Sequence, residues 1–417
     1  MINSKKSKRG TFKMKGRKDL LPVLIGGDFA AYSQARTFHE AYGVSSLAIT
    51  TAGNILNTRT SILETIVEPE LTETPVFLRK MQEVAEKYPQ EHKVVLGCRD
   101  WQVRIVIENK DKLEELGFIV PYIDRTLLDQ LVLKEHFYEL CDRYKVAYPK
   151  TFVYDFSDPK PLELGFEFPV IAKPSNSAAY YNTSFEGQKK VYKIGSMPEL
   201  EELLERVGRS DYPDKFLIQE FVPGDDTGMH LLTCYCDKNS KVRLISAGHT
   251  MMEDHEENSI GNPAAILSEV LDKEVTDSAV RLLESIGYVG FANFDIKYDP
   301  RDGVYKFFEI NTRLGSSSYY VTGAGYNTAE WYVREWVDGE SFDGCIVADR
   351  PHLYTKIPQS IIHAYVKDPS LRAQVADQYR GCRVSNPIDY RADRNLLHHA
   401  YVRYFMHKQK KRFQTYL

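Results

Sequence analysis

Glu309, Asn311 and Arg313 stand on alternate positions of the stretch Phe308-Glu309-Ile310-Asn311-Thr312-Arg313, and Asn293, Asp295 and Lys297 do the same in Phe291–Lys297. Side chains alternate faces along a β-strand, so each polar set shares one face, against Phe308 and Ile310 in one strand and Phe294 and Ile296 in the other. The turn Asp299-Pro300-Arg301-Asp302-Gly303 lies between the two runs and predicts a hairpin. Folding about a centre near residue 301 or 302 sets Asp295 opposite residue 307 or 309; either register leaves Asp295, Glu309 and Asn311 on one side. Two carboxylates and an amide oxygen suit a hard cation such as Mg²⁺, which takes oxygen ligands and keeps part of its shell for water and phosphates. Arg313 would sit at the edge of that face, where negative charge develops in a phosphoryl or acyl-phosphate reaction. A solvated acidic strand face would show the same pattern.

Other chemistry-bearing residues are scattered. Lys173 ends the apolar strand Phe168–Lys173 and precedes a loop rich in Ser, Asn, Ala and Tyr between Pro174 and Gly187. Such a loop can fold over phosphates with its N–H groups while the lysine neutralises the oxygens. Gly26-Gly27-Asp28 precedes a helical stretch, where a carboxylate or phosphate can be received at the helix N-terminus; a plain tight turn fits the same residues. His249 ends a strand and could reach phosphate or serve as a hydrogen-bonded structural residue. GxxxxGK[ST], GxSxG, HExxH and Cys-x-x-Cys are all missing. Cys234-x-Cys236 has no partner pair and reads as core.

The elements that must position these groups follow from the apolar pattern. Leu20–Ile25, a glycine turn and a helix over 30–41 open an α/β unit, with Ser46–Ile49 and Val94–Gly97 as further strands. Apolar positions over 126–145 fall near helical spacing. Strands are expected at 216–222, stopped by Pro223-Gly224-Asp225-Asp226, and at 230–236 and 242–249. The expected units are a basic disordered arm at 1–18, a doubly wound domain at 19–125, further units at 126–215 and 216–345, and an extension at 346–417.

Composition narrows the class. The 417 residues are 43% apolar and 27% charged, with 54 Lys+Arg against 58 Asp+Glu and a net charge of −4. Residues 1–18 contribute +8 and 391–417 contribute +6, so the body carries −18. A nucleic-acid partner is not expected, because its positive charge would spread over a folded face. No apolar run reaches the roughly 18–20 residues of a membrane span. The six cysteines read as reduced thiols of a cytoplasmic protein. The aromatic-basic stretch 396–417 could lie on anionic lipid as a peripheral membrane contact, or pack as a basic helix on the acidic body.

In chain order, Lys134, Lys173, Gln219-Glu220-Phe221-Val222, Asp295 and Glu309-x-Asn311-x-Arg313 resemble the ATP-grasp superfamily. Leu24-Ile25-Gly26-Gly27-Asp28, Phe221-Val222-Pro223-Gly224-Asp225-Asp226, Gly290–Asp295, Tyr298–Gly303 and Phe308–Asn311 are similar to the bacterial D-aspartate ligases of peptidoglycan synthesis. That resemblance implies an α/β and α+β chain: a doubly wound pre-ATP-grasp domain, then a two-subdomain ATP-grasp fold, with a lid over 126–215 and a catalytic part over 216–345. It implies ATP and Mg²⁺ as cofactors, with Lys134 and Lys173 on the phosphates and the 175–187 loop closing over them. Gln219, Glu220 and Val222 would receive adenine, partly through their backbone. Asp295, Glu309 and Asn311 would hold Mg²⁺, and Arg313 would stabilise the oxyanion of a tetrahedral intermediate. Gly26, Gly27, Asp28, Ser316 and Ser317 would contact the substrate carboxylate. The implied reaction activates the β-carboxylate of D-aspartate as an acyl phosphate. The lysine side-chain amine of a UDP-linked stem peptide is then the acceptor, in the cytoplasm and at the inner face of the membrane. The arm at 1–18 and the variation over Thr312–Ser317 depart from the pattern. A ligase for another amino acid or a small peptide, and a non-catalytic scaffold, are the other readings.

Overall fold

Continuous Val, Leu and Ile runs mark strands covered on both faces, and the chain opens with such a set: β1 (Leu20–Ile25), β2 (Ser46–Thr50), β3 (Leu63–Val67), β4 (His92–Gly97) and β5 (Phe118–Ile119). In the computed structural model, which describes residues 16–256 and 259–417, these strands pair in parallel in the order β3-β2-β1-β4-β5. The order reverses between β1 and β4, and a crevice opens beyond the carboxyl ends of strands at such a point. Gly26-Gly27-Asp28 leaves β1 there and Cys98-Arg99-Asp100 leaves β4. Residues 1–15 of the expected arm lie outside the described residues. Arg17 is part of the fold, bonded to Asp19 at 2.8 Å and Asp338 at 2.6 Å.

The helical stretch over 126–145 is two helices, Arg125–Val132 and Lys134–Tyr144, separated by Leu133 in an extended conformation. A second sheet follows, with β6 (Thr151–Tyr154), β7 (Val170–Pro174), β8 (Tyr192–Ile194) and β9 (Phe216–Glu220) in the antiparallel order β6-β9-β7-β8. The helix Met197–Gly208 closes its core with Leu200, Leu203, Leu204 and Val207 against Phe216 and Ile218. β9 therefore belongs to the small sheet, and the boundary expected at 215/216 falls inside it. The 174–187 stretch is not all loop: Asn176 caps a short helix, Ser177–Tyr181.

The third sheet holds β10 (Met229–Cys236), β11 (Val242–Glu253), β12 (Pro263–Glu269), β13 (Gly290–Asp299), β14 (Val304–Asn311), β15 (Ile346–Val347), β16 (Leu353–Thr355) and β17 (Val384–Ser385). Their order is β14-β13-β10-β11-β12-β16-β17, with β15 beside β11. Three of these strands come from beyond residue 345, so the expected boundary at 345/346 also cuts a sheet. The aromatic-basic stretch forms the helix Leu396–Phe413, with Val402 and Phe413 buried and Phe405 packed 6.3 Å from Phe29. Arg412 bonds Asp254 at 2.6 Å and Glu256 at 2.8 Å, as expected of a basic helix on the acidic body; Lys408, Lys410 and Lys411 are exposed. No helix among the described residues is long and apolar enough to cross a membrane.

Asp393 ties this C-terminal part to the parallel-sheet domain. Its fully buried carboxylate accepts from Tyr32 Oη at 3.0 Å, from the Ser61 N–H and hydroxyl at 3.0 Å each, and from Thr60 Oγ1. Burial pushes its pKa up, but the hydrogen bonds from Thr60, Asn395 and Ser61 outweigh it and hold the group below its usual range. Asp393→Ala leaves these donors unpaired and is expected to cost about 2–3 kcal/mol in chemical denaturation. Because the folded pKa is depressed, that contribution is present above about pH 4 and fades as the pH falls through the folded value, so the wild-type advantage shrinks in acid.

Candidate active site

The hairpin β13–β14 sets Asp295 opposite Glu309 and Asn293 opposite Asn311. Of the two registers open from the sequence, the structure takes 309. A β-bulge makes the difference: Ile296 pairs with Phe307, leaving Phe308 as the extra residue. Bulges re-aim side chains. Phe307, rather than Phe308, packs on Phe294 in the core at 5.3 Å, and the Phe308 ring lies 5.3 Å from Lys173 Nζ. The expectation that Phe308 joins Ile310 on the apolar face is corrected accordingly.

Asp295 and Glu309 are half-buried and face each other in the cleft, with the Asn293 and Asn311 amides 3.4 and 3.5 Å from Asp295. Burial, then the charge of Glu309, pushes Asp295 well above the carboxylate range. Burial would raise Glu309 as well, but the ammonium groups of Lys134 and Lys173 outweigh it and keep Glu309 low. Lys134 Nζ lies 3.3 Å from Glu309 Oε2 and 3.1 Å from Ser177 Oγ. The carboxylate pair cannot hold two charges without a cation between its members, and its oxygen donors match the preference of Mg²⁺.

On the small sheet, buried Lys173 and Gln219 converge on Tyr138 from the helix Lys134–Tyr144. Tyr138 Oη donates to the Phe308 carbonyl at 2.8 Å and accepts from Gln219 Nε2 at 2.9 Å, with Lys173 Nζ at 3.4 Å. Gln219 Nε2 also donates to Thr151 Oγ1 at 2.8 Å. Its buried Oε1 has no partner among the described residues and is an acceptor suited to an exocyclic amine such as that of adenine. Glu220 serves the framework: its carboxylate accepts from Lys150 N, Lys306 Nζ and Arg301 Nη2 at 2.9–3.0 Å. The Val222 carbonyl is likewise taken by Lys297 Nζ at 3.0 Å. The small sheet thus brings Lys173 and Gln219 to the cleft but commits the Glu220 side chain to holding the hairpin.

Arg313 reaches across to the parallel sheet. Its Nε bonds Asp100 Oδ1 at 2.6 Å, while Nη1 and Nη2 donate to the Leu314 carbonyl at 3.1 Å and Asn311 Oδ1 at 3.4 Å. Arg99, the neighbour of Asp100, bonds Asp28 Oδ2 at 2.5 Å. Asp28 Oδ1 accepts from Ala30 N at 3.0 Å and Ala31 N at 3.3 Å, so the helix N-terminus beside Gly26-Gly27 is filled by the chain's own carboxylate. The Gly27 carbonyl is also taken, by Asn54 and Asn57, and a Cβ on Gly27 would stand 2.3 Å from Asn57 Nδ2. The glycine pair is a tight packed turn, with the Gly26 N–H donating to the Ile49 carbonyl at 2.9 Å. Ser316, half-buried, and Ser317, buried, lie in the loop that follows Arg313.

His249 is not brought to the carboxylates. It pairs with His230, whose other neighbour is Ile296, on the sheet face opposite Asp295. Its Nε2 is 2.7 Å from the Thr227 carbonyl. Tyr138, Arg99 and Asp100 escaped the sequence reading. The last two follow a strand of a doubly wound unit, and the rule that ligands bind beyond carboxyl strand ends at the order reversal points to them.

Over 410 residues the chain is 35% identical to the D-aspartate ligase of Enterococcus faecium (strain Aus0004), covering 95% of this chain and 97% of that protein. The chain belongs to the D-aspartate ligase family of ATP-grasp enzymes. Residues 234–334 match the carbamoyl-phosphate synthase L chain, ATP binding domain. The fold is shared with an L-amino acid ligase from Bacillus licheniformis (TM-score 0.56, 13% identity, 77% of this chain and 74% of that one). It is also shared with N5-carboxyaminoimidazole ribonucleotide synthetase from Thermus thermophilus (TM-score 0.56, 17% identity, 80% and 82%). As a D-aspartate ligase family member the chain is an ATP-dependent carboxylate–amine ligase.

Glu309→Gln keeps the side chain's size and removes one negative charge. It is expected to abolish ADP release while leaving the circular-dichroism spectrum and melting midpoint near wild type; an active variant would overturn the cation assignment. Burial, reinforced by Lys134, lowers Lys173 to about 7. Phosphate oxygens favour its charged form, so ATP binding at about pH 8 should take up a proton and weaken as the pH rises. Calorimetry in buffers of differing ionisation heat reads the uptake, which Lys173→Met should remove.

Proposed function

We propose that the chain activates the β-carboxylate of D-aspartate as an acyl phosphate and joins it to the side-chain amine of lysine in a UDP-linked peptidoglycan stem peptide. The observation that carries this reading is the 35% identity to a D-aspartate ligase over nearly the whole of both chains. The charges between the parallel sheet and the hairpin support it. Asp28 with Arg99 and Asp100 with Arg313 form two adjoining ion pairs, at 2.5 and 2.6 Å, where the two domains meet. Two cations and two anions from these pairs complement a substrate with two carboxylates and one ammonium. In this reading Arg99, half of whose side chain is accessible, receives the α-carboxylate, Asp28 or Asp100 the ammonium, and Arg313 the carboxylate that reacts. Ser316 and Ser317, in the loop that follows Arg313, would join them at the substrate carboxylate.

Lys134 and Lys173 orient the triphosphate and offset its charge, with the 175–187 segment folding over it and Gln219 Oε1 accepting from adenine. Asp295, Glu309 and Asn311 would hold Mg²⁺, which would supply positive charge against the developing charge of the phosphoryl group. The substrate carboxylate attacks the γ-phosphorus and ADP leaves. The amine then attacks the acyl carbon, phosphate leaves, and Arg313 stabilises the oxyanion between these steps. The whole is positioning and electrostatics, with no covalent bond to the enzyme. We place the reaction in the cytoplasm, where such an acceptor is built and where the six free cysteines remain reduced.

ADP release measured with a panel of D- and L-amino acids, with and without a lysine-containing acceptor, tests the reading. Acceptor-dependent release is expected with D-aspartate above all others. Preference for another amino acid would reassign the substrate within the same family, and Arg99→Ala should raise the KM for D-aspartate far more than that for ATP.

A further inference from the structure

On the face of the third sheet turned away from Asp295, three adjacent strands bring together two imidazoles and a carboxylate: His230 on β10, His249 on β11 and Glu269 on β12. The register makes the convergence: His230 stands opposite His249, and Glu269 stands opposite Ala247, two residues along the same face. His230 Nδ1 is 2.5 Å from Glu269 Oε1, His249 Nδ1 is 3.7 Å from Glu269 Oε2, and one ligand atom from each residue lies within 4.8 Å of the others. The two rings stack at 4.2 Å. All three stand on the face away from the Asp295–Glu309 pair.

We propose that His230, His249 and Glu269 form a second metal site, for a divalent transition ion of the Zn²⁺ class, separate from the Mg²⁺ site. The hydrogen bond from His249 Nε2 to the Thr227 carbonyl, at 2.7 Å, carries the argument. It places the proton of the neutral ring on Nε2, so the Nδ1 lone pair faces the Glu269 carboxylate with no proton between them. A backbone carbonyl behind a ligating imidazole is the usual outer support of a metal site, fixing tautomer and ring orientation. His230 enters the site by moving its Nδ1 proton to Nε2. Two imidazole nitrogens select Zn²⁺ and its neighbours over Mg²⁺ or Ca²⁺. Ligands of a tetrahedral Zn²⁺ at ~2.0–2.2 Å stand about 3.3 Å apart. The distances of 2.5 Å to Glu269 Oε1 and 3.7 Å to Glu269 Oε2 bracket that spacing. His249 and Glu269 keep 17% and 21% of their side-chain surface open, enough for entry of the ion and a water as fourth ligand. The ion would pin three strands together and, through Thr227, the segment that joins the small sheet to the catalytic one.

The test uses the full chain, stripped with chelator, returned to excess Mg²⁺ and titrated with Zn²⁺ and, separately, Co²⁺. Expected are one Zn²⁺ retained per chain after desalting, a raised melting midpoint, and a visible ligand-field band with Co²⁺. His249→Gln and the near-isosteric Glu269→Gln should each weaken Zn²⁺ binding at least about tenfold and lose the Co²⁺ band, while ADP release in Mg²⁺ stays near wild type. Glu269→Gln decides the matter if His249→Gln fails to fold. No retained zinc, or zinc held equally by wild type and Glu269→Gln, would overturn the site; equal binding would assign the metal to surface groups such as Cys345, Cys382 or His407.

Discussion

Two carboxylates held face to face, Asp295 and Glu309, set the terms for the rest of the molecule. Their charges repel, and the cleft gives them less water than the surface would, so the pair is stable only with positive charge brought to it. Lys134 at 3.3 Å from Glu309 supplies part of that charge within the chain. The hairpin that holds the pair is itself pinned by opposite charge: Glu220 and Asp299 clasp Lys306 and Arg301 just behind the site. The same four groups lock the end of the small sheet to the hairpin, so the carboxylate pair and the end of β9 form one framework.

The parallel sheet contributes differently. It adds nothing to the carboxylate pair itself, yet the residues leaving β1 and β4 deliver Asp28, Arg99 and Asp100 to the edge of the cleft, and Asp100 grips Arg313. An arginine so held is pre-oriented, and pre-orientation is what electrostatic catalysis requires of a group that must meet charge as it develops. The C-terminal strands and helix close the assembly from the other side, through Asp393 and Arg412, so the extension braces the site's supports.

Much of this was legible in the chain. Period-two alternation placed Asp295, Glu309 and Asn311 on one face, and a run such as Leu20–Ile25 announced a doubly wound opening, because both depend only on local backbone geometry and apolar pattern. The basic stretch 396–417 was legible as a helix on an acidic body, although two outcomes were open. Glycines 26 and 27 left two readings open, because a glycine before a helix looks the same whether it admits a ligand or packs against Asn57.

The sequence by itself determined the family, the reaction class and the facing of Asp295 and Glu309, since those are written in short ordered motifs whose strands have a fixed side-chain period. Tertiary structure alone decided the register at 309, through one bulged residue that no alternation rule anticipates. It alone assigned β9 to the small sheet, turned His249 to the far face beside His230 and Glu269, and joined Arg313 to Asp100 across 213 residues. Each of these depends on which segments meet in space, and no local preference of the chain carries that information.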